Sequence, residues 1–582
     1  MPLKNYQLSI KKLSINNYPL SIKKLSIKHH PLSIKKLSIK ELSIKKLSII
    51  LLSIICLSCN THQHPDKKIF HYNEQTGIAS LDPAFAKNQS IMWVIHQLYN
   101  TLIEVDDSMH LKPSLAKSWD VSADNITFTF HLRTDVYFQD DAAFINGKGR
   151  LLKAGDVVYS FNRIVDKDVA SPGAWIFNSR VDIANAFTAI NDSTFQLKLA
   201  RPFQPILGIL SMQYCSIVPA EAVNKYGTDF RRHPVGSGPF AMVAWEEGQA
   251  LVMKKNTHYF EQDSLGKPLP YLDGIKVSFF SSKATEFLEF QQKRLDFIND
   301  IEASFKDEIL TKTGNLKKEW EGKLLLQKHP YLNTEYLGIL VDGENDLVKK
   351  SPLRLQKIRQ AINYGFDRKK MMLYLRNSIG TAAESGFIPA GLPSYDTTKV
   401  KGYHYDINKA KQLLAEAGYP NGTNLPAIKL LTIPVYADLA SYIANELQQA
   451  GITVEVEAIQ KSLLLEQTAK SQALFFRASW IADYPDAENY LSVFYGKNPA
   501  PPNYTRFKNT AYDALYDKAM AEKNDSLRYI LYQQMDQLII DNAPVVPLWY
   551  DMAIHLVHTN IINFTPTGLN LLELRRVDIL KK

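Results

Sequence analysis

The stretch 477–486 carries a cation, an aromatic ring and a carboxylate at intervals of three residues: Arg477, Trp480 and Asp483. An ionised carboxylate can hold an ammonium group, a guanidinium can neutralise an anion, and an indole can form the wall of a binding cleft. The large apolar residues 474–476 that precede the stretch predict a buried strand. Pro485 predicts a turn, because proline lacks a backbone donor. The sequence therefore predicts a strand that ends beside charged groups.

The odd spacing of these side chains has two interpretations. Successive side chains of a strand alternate between faces, so Arg477 and Trp480 lie on opposite faces, and so do Trp480 and Asp483. A strand edge of this kind could present charges to a ligand while its backbone stays free to pair. Alternatively, a buried strand runs into a surface turn, and Arg477 and Asp483 form ordinary ion pairs. The local sequence leaves both interpretations open.

The composition indicates a large globular protein. The chain has 582 residues, of which 45% are hydrophobic, and this length corresponds to roughly two to four domains. The net charge is +9, but residues 1–58 contain eleven lysines and one glutamate, so they carry +10 and the remaining chain carries −1. A nearly neutral folded part gives no compositional support for binding nucleic acid.

The first 44 residues have the pattern of a low-complexity extension. The tripeptide Leu-Ser-Ile recurs there at steps of five or seven residues. These steps fit neither a helical stripe nor the alternation of a strand. We interpret residues 1–44 as an extension without a fold of its own.

A lipoprotein signal peptide is predicted at residues 45–58. A basic pair is followed by the apolar run 47–57, which is too short to span a membrane as a mature helix. The run ends beside Cys59 in a pattern that resembles the cleavage motif of bacterial lipoproteins, with Cys56 where leucine is usual. We expect cleavage before Cys59, a lipid on its thiol, and a polar tether at residues 59–68.

The remaining cysteine, Cys215, lies in a mostly apolar run. Such a residue is predicted to belong to the core rather than to act as a nucleophile. Because Cys59 would carry a lipid, no disulfide is expected within the mature domain.

The body of the chain alternates predicted strands with predicted helices. Period-two patterns predict strands at 126–132, 194–199, 275–280 and 452–456. Helices are predicted at 91–105, at 154–164 with Asp156 as N-cap, at 406–417 between Asp406 and Gly418, at 438–450 between Asp438 and Gly451, and at 527–541. Residues 352–377 are predicted to form one long helix or a helix pair, interrupted near 365–368. The strand–helix–strand spacing of the second half implies crossover connections and an α/β lobe.

The order of motifs along residues 69–575 resembles family 5 of the extracellular solute-binding proteins, the oligopeptide- and dipeptide-binding components of ABC importers. No single segment is decisive, but the ordered set is specific. The segments that carry the resemblance are Ser80-Leu81-Asp82-Pro83, Leu98-Tyr99-Asn100-Thr101-Leu102, 113–119, 154–163, Gly236-Ser237-Gly238-Pro239-Phe240, Arg359-Gln360-Ala361-Ile362-Asn363-Tyr364, Asp367-Arg368, Ala415-Glu416-Ala417-Gly418-Tyr419, 480–486 and 544–548.

The resemblance implies an α/β fold of the two-lobed, periplasmic-binding-protein-like kind (type II), with a subdomain inserted into the first lobe. Carried over to this chain, the first lobe comprises residues 69–85, 205–328 and 545–582. The inserted subdomain comprises residues 86–204, and the second lobe residues 329–544. Ligands are expected between the lobes, where clefts commonly form binding sites.

The resemblance also assigns roles to individual residues. The carboxylate of Asp483 is expected to hold the α-ammonium group of a peptide, and Trp480 to line the cleft. Backbone groups of Ser479 and Ile481 are expected to pair with the peptide as an added strand.

Two further charged residues are expected in the cleft by the same resemblance. Arg477 is expected to help neutralise charge deep in the cleft. Glu74 matches an acidic cleft residue near the first strand, although extra residues separate it from Leu81.

The function implied by the resemblance is the binding of peptides and their delivery to an ABC permease and its ATPase. The protein would be a monomer without cofactor, metal or catalytic activity, held on the periplasmic or cell-envelope face of a membrane by the lipid on Cys59. Alternatives are the same fold binding a sugar, nickel chelate, opine or haem, and a stand-alone surface receptor or peptide chaperone. A secreted hydrolase is disfavoured, since the sequence contains no nucleophile elbow, no His-Glu-x-x-His motif and no metal-spaced cysteines.

Overall fold

A computed structural model describes residues 67–178, 180–301 and 303–580. The predicted extension, the signal peptide and Cys59 lie outside the described residues. The strands are β1 Ile69–Asn73, β2 Ile103–Val105, β3 Leu111–Pro113, β4 Ala116–Val121, β5 Thr127–Leu132, β6 Phe187–Asn191, β7 Thr194–Lys198, β8 Phe240–Glu246, β9 Ala250–Lys255, β10 Gly274–Ser278, β11 Phe297–Asn299, β12 Leu324–Ile339, β13 Thr381–Ala382, β14 Ile428–Thr432, β15 Val454–Ala458, β16 Phe475–Ile481, β17 Val545–His558, β18 Ile561–Ile562 and β19 Asp578–Ile579.

The helices lie mostly in the second half of the chain. They are α1 Gln89–Leu98, α2 Ala154–Val165, α3 Ile206–Ile209, α4 Ala220–Tyr226, α5 Lys283–Gln291, α6 Ala303–Ile309, α7 Asp346–Lys349, α8 Gln356–Tyr364, α9 Arg368–Leu375, α10 Ile407–Glu416, α11 Ala437–Ala450, α12 Lys461–Ala469, α13 Glu488–Leu491, α14 Thr510–Ala521 and α15 Asp525–Asn542. No helix in the described ranges is long and apolar enough to cross a membrane.

One mixed sheet contains the strand on which the site is built. Its order is β11-β17-β12-β16-β14-β15, and β13 pairs with β17. Strands β14 and β15 run parallel, as do β14 and β16, whereas β12 is antiparallel to both β16 and β17. Parallel neighbours need crossover connections, which α11 and α12 supply.

Two long strands of this sheet run through two hydrophobic cores. Strands β12 and β17 pair from Leu324–His558 at one end to Gly338–Val545 at the other. At the first end, Leu324 packs in a core with helix α5, and at the second end Val546 packs in a core with helix α11. The paired strands therefore connect two separately packed parts of the molecule. The lobe boundaries given above stay a prediction.

Two further four-stranded sheets are formed by the first half of the chain. One has the order β1-β10-β9-β8, with β1 and β10 parallel, and the other is the antiparallel sheet β4-β5-β7-β6 within residues 116–198. The predicted strands at 126–132, 194–199 and 275–280 are confirmed, each to within two residues. Cys215 is fully buried among apolar residues, as predicted, and burial raises the pKa of its thiol.

Several predicted helix ends are confirmed. The Asp406 side chain accepts a hydrogen bond from the N–H of Lys409 at the start of α10 (2.9 Å), and Gly418 follows that helix with a φ of +92°. Gly451 ends α11 with a φ of +94°. A positive φ strains residues with a Cβ, which explains glycine at both positions. The helix pair is also found, with Asp367 capping the second member.

Other predicted helix boundaries are wrong. Asp156 is not the N-cap of α2: the helix begins after Lys153, and the Asp156 carboxylate reaches back to the N–H of Lys153 (2.8 Å). Asp438 lies in the first turn of α11, whose N-cap is Tyr436. The helix predicted for 91–105 ends at residue 98, because Tyr99 takes an extended backbone and residues 103–105 pair with 111–113 as strands.

Candidate ligand-binding site

Strand β16 pairs with β12 along its whole length without a bulge. At one end the N–H of Leu340 donates to the carbonyl of Leu474 (2.9 Å), and at the other the N–H of Ala482 donates to the carbonyl of Leu332 (2.8 Å). Alternate residues of an antiparallel strand bond to the same neighbour. The even-numbered residues therefore bond to β12, and the odd-numbered residues direct their N–H and C=O groups to the opposite edge.

The opposite edge of β16 is open from Arg477 onward. Strand β14 meets β16 only at the pair Leu431–Phe476, and no further strand of the described residues covers this edge. The N–H and C=O groups of Ser479 and Ile481 are consequently directed to an uncovered sheet edge. An edge of this kind can accept an extended chain as an added strand.

The open edge leads directly to Asp483. This carboxylate accepts a hydrogen bond from the side-chain amide of Asn489 (3.4 Å), and the Asn489 carbonyl oxygen accepts from the Asp483 N–H (3.3 Å) and from the indole N–H of Trp480 (2.9 Å). Asn489 itself is buried, with 3% of its surface exposed. One buried amide thus fixes both of the side chains that the sequence predicts to face a ligand.

Asp483 forms no ion pair within the part of the chain that the structure describes. Solvent reaches its side chain, but the surrounding protein removes enough water to raise the pKa of the carboxyl group, and the Asn489 hydrogen bond opposes this rise. A recessed carboxylate without a counter-ion is a favourable place for a ligand cation, because the pairing offsets the cost of desolvating the charge.

Asp483 lines two cavities. The first has a volume of about 550 Å³ and is bounded by Ile481, Asp483 and the segments 87–107 and 567–576. The second has a volume of about 740 Å³ and is bounded by Trp480, Asp483, the segment 175–203 and residues 484–521. Both volumes fall in the range of small-molecule pockets, about 300–1,000 Å³.

The floor of the first cavity is held by a buried charge network. The guanidinium of Arg575 bonds to Glu104 (2.5 Å), Glu573 (2.7 Å) and Glu261 (2.9 Å). Burial alone would raise the pKa of Glu104, but Arg575 and Lys112 lower it to about 2. These ion pairs tie the C-terminal segment to strand β2 and fix the shape of the floor.

Arg477 is placed deeper along the same strand. Its guanidinium forms a buried ion pair with Glu335 and stacks over the ring of Tyr436 at 3.9 Å. Burial raises the pKa of Glu335, and the positive charge of Arg477 opposes this rise. Arg477 therefore forms an ordinary ion pair, as the second interpretation predicts, whereas Asp483 forms none with any residue that the structure describes.

Glu74 is not brought together with the other predicted site residues. It follows β1, its carboxylate accepts a hydrogen bond from the hydroxyl of Thr76 (3.2 Å), and it lines neither cavity. Its place in the ligand site stays a prediction.

Comparison with known proteins identifies the family. Residues 110–502 match the family model described as bacterial extracellular solute-binding proteins, family 5 Middle. The chain is 28% identical over 477 residues to the heme-binding protein A of Haemophilus influenzae, covering 78% of this chain and 82% of that protein. It is 24% identical over 537 residues to the dipeptide-binding protein DppE of Bacillus subtilis, covering 88% and 92%.

The fold matches a solved periplasmic binding protein. The ABC transporter-associated periplasmic binding protein DppA from Helicobacter pylori, in complex with the peptide STSA, superimposes with a TM-score of 0.68 at 24% identity, over 88% of this chain and 98% of that one. The predicted α/β fold of type II periplasmic binding proteins is confirmed. By its sequence match over 110–502, the chain belongs to family 5 of the bacterial extracellular solute-binding proteins.

Proposed function

We propose that the protein binds peptides along the open edge of β16 and delivers them to the permease of an ABC importer. The observation that carries this proposal is the position of Asp483: an uncovered strand edge leads to a partly desolvated carboxylate that has no counter-ion among the described residues. An extended peptide with a free α-ammonium group satisfies both features.

The backbone of the peptide would pair with Ser479 and Ile481. Main-chain hydrogen bonds supply affinity without selecting side chains, which suits a carrier of many sequences. The α-ammonium group would bond to Asp483, and the indole of Trp480, held by Asn489, would form an adjoining wall. Closing the two predicted lobes over the ligand would exclude water and strengthen the ammonium–carboxylate attraction.

Arg477 would neutralise a charge of the protein and would not contact the ligand. Because it pairs with the buried Glu335, it neutralises a carboxylate on the neighbouring strand β12, which pairs with β16. In the turn after β16, Asp486 pairs with Arg528 (3.6 Å), whereas Asp483 forms no ion pair with a described residue and is open to a ligand cation.

The relatives also support testing non-peptide solutes. The names of the matched proteins include haem-binding and dipeptide-binding proteins, so haem stands beside sugar, nickel chelate and opine as an alternative ligand in the same fold. Native mass spectrometry of the protein purified from its own host, under gentle conditions, would identify any molecule that it retains. A co-bound haem or sugar, with no peptide, would contradict the proposal.

Peptide binding is tested by calorimetric titration. A tripeptide with a free amino terminus should bind, and the same tripeptide acetylated at the amino terminus should bind at least tenfold more weakly. Equal affinity of the two would contradict the role of Asp483, and no binding of a broad peptide panel would contradict the peptide proposal as a whole.

Delivery to an importer and lipid anchoring are parts of the same proposal. Cleavage before Cys59 with lipid on its thiol would hold the protein on the periplasmic or cell-envelope face of a membrane, as a monomer without enzymatic activity. Mass spectrometry of the membrane fraction would detect the lipidated amino terminus, and Cys59→Ser should release the protein into the soluble fraction. Genes for permease and ATPase subunits beside the coding sequence would support import; their absence would favour a stand-alone receptor.

A further inference from the structure

The second cavity contains two arginines that lack a carboxylate partner. Arg180 and Arg201 line this cavity from the segment 175–203, and Asp483 lines it as well. Neither side chain forms an ion pair with any residue that the structure describes. Arg201 is exposed, whereas Arg180 is half-buried.

The guanidinium of Arg180 is held in place by uncharged groups. One of its terminal nitrogens donates to the backbone carbonyls of Trp175 (2.7 Å) and Ile176 (3.2 Å). The group stacks over the ring of Phe203 at 4.7 Å and lies over the ring of Trp175 at 5.7 Å. A guanidinium has five N–H donors, so this arrangement fixes its position and leaves donors available for an anion.

The acids nearest to the two arginines are occupied by other donors. Glu488 is buried and accepts from the hydroxyls of Tyr484 and Tyr516. Asp517 accepts from the hydroxyl of Tyr495 (2.5 Å) and the ammonium of Lys497 (2.7 Å). Neither carboxylate forms an ion pair with the two arginines, although Arg180 attracts Glu488 and Arg201 attracts Asp517 electrostatically.

The position of the cavity relates it to a peptide on β16. Trp480 lines the second cavity and Ile481 the first, and consecutive residues of a strand face opposite sides. The side chains of an added strand alternate in the same way. A bound peptide would therefore direct alternate side chains into the two cavities, starting from the ammonium group at Asp483.

We infer that the preferred ligands are peptides with an acidic side chain, glutamate or aspartate, at the position that enters the second cavity, where Arg180 and Arg201 bind the carboxylate. The inference rests on the proposed peptide binding and deepens it by naming a ligand class. Arginine is suited to this role because its planar fork can bond both oxygens of a carboxylate.

The test is a calorimetric comparison of glutamate with glutamine in an otherwise all-alanine tetrapeptide, placed in turn at each of the first three positions. The two side chains have nearly the same shape and differ in charge. The natural protein should prefer glutamate by tenfold or more at one of these positions. The double variant Arg180→Gln/Arg201→Gln should lose this preference, while its affinity for the glutamine peptide changes less than threefold.

A matched control removes cations from the first cavity instead. Lys87 and Arg576 line that cavity, and the double variant Lys87→Gln/Arg576→Gln should keep the glutamate preference. Loss of the preference in this control alone, or its survival in the Arg180→Gln/Arg201→Gln variant, would overturn the inference. Circular dichroism and thermal unfolding establish that each variant is folded.

The outcomes separate the two proposals. If the natural protein binds none of the free-amine peptides, the proposed function fails. If it binds them tightly but treats glutamate and glutamine alike at all three positions, only the ligand class fails.

Discussion

The side-chain amide of Asn489 bonds to the carboxylate of Asp483, six residues earlier in the chain (3.4 Å). The oxygen of the same amide accepts the indole N–H of Trp480 (2.9 Å). Asn489 is buried at the second residue of the short helix α13 and borders the second cavity. It is therefore a positioning residue for two groups that are proposed to contact the ligand.

Replacing Asn489 by alanine should weaken peptide binding, because Trp480 and Asp483 would lose the amide that holds them. Trp480 would lose the acceptor of its indole N–H, and a lost hydrogen bond of this kind costs about 1–3 kcal/mol. We expect a roughly tenfold loss of affinity and a lower free energy of unfolding, measured by calorimetric titration and urea unfolding. Unchanged affinity in a destabilised variant would contradict the positioning role.

Removing the carboxylate of Asp483 should abolish useful binding of free-amine peptides while the fold stays intact. A charge-assisted hydrogen bond contributes about 1.5–3 kcal/mol, so Asp483→Ala should lower affinity by roughly 10- to 150-fold. Asp107→Ala is a matched control, since Asp107 is an exposed acid that lines the first cavity. An equal loss in both variants would indicate a general electrostatic effect rather than an ammonium contact.

Peptide affinity should fall when the solution is acidified. The fall should begin at a higher pH than it would for an aspartate of ordinary pKa. The surrounding protein displaces water from Asp483 and so raises the pKa of its carboxyl group, and only the ionised carboxylate can pair with an ammonium group. Below that pKa, affinity should decrease about tenfold per pH unit. Titrations between pH 4 and pH 8 would measure this slope, and the acetylated peptide, which has no ammonium group, should show none of it.

Local sequence signals predicted local features well. Asp406 and Gly418 bound a helix as expected, because side-chain capping and left-handed glycine act within a few residues. The predicted N-caps Asp156 and Asp438 lie three and two residues after the true N-caps. A carboxylate in the first turn stabilises a helix through the helix dipole, so it is easily mistaken for a capping residue. The family and fold followed from the order of many such segments.

The partners within the site could not be predicted from spacing. Glu335 pairs with Arg477 across 142 residues, and this depends on the register of two antiparallel strands. Asn489 carries no motif, and its role appears only once the turn after β16 is folded. Arg180 reaches the second cavity from the segment between helix α2 and strand β6, which is distant in sequence from β16. These contacts are set by tertiary packing, which a single sequence does not encode in local patterns.

Breaking the Arg477–Glu335 ion pair from one side should be strongly destabilising. Both side chains are mostly buried, with 13% and 4% of their surfaces exposed. Arg477→Met would leave Glu335 as an unpaired buried carboxylate, which costs about 3–5 kcal/mol. The double variant Arg477→Met/Glu335→Leu should recover much of the lost free energy of unfolding in urea. If the single and double variants are equally unstable, packing rather than charge pairing dominates at this site.

Asp536 should make the protein less stable as the pH rises towards neutrality. Its carboxylate is buried on helix α15 and accepts hydrogen bonds from the N–H groups of Phe387 (2.6 Å) and Ile388 (3.4 Å). Burial raises its pKa to about 7, and these two bonds only partly oppose the rise. The folded protein therefore holds a proton that the unfolded chain releases near pH 4. Between about pH 4 and pH 7, the ionisation of Asp536 should lower the free energy of unfolding by about 1.4 kcal/mol for each unit by which the pH rises.

The variant Asp536→Asn should remove this component of the pH dependence, because an amide does not ionise in this range. Its carbonyl can still accept from Phe387, so we expect a fold that remains cooperative and a stability that varies less between pH 5 and pH 8. Urea unfolding at four pH values measures the slope. Asp541→Asn, an exposed carboxylate on the same helix, is the control and should leave the slope unchanged. A slope that persists in Asp536→Asn would assign the pH dependence to other buried groups.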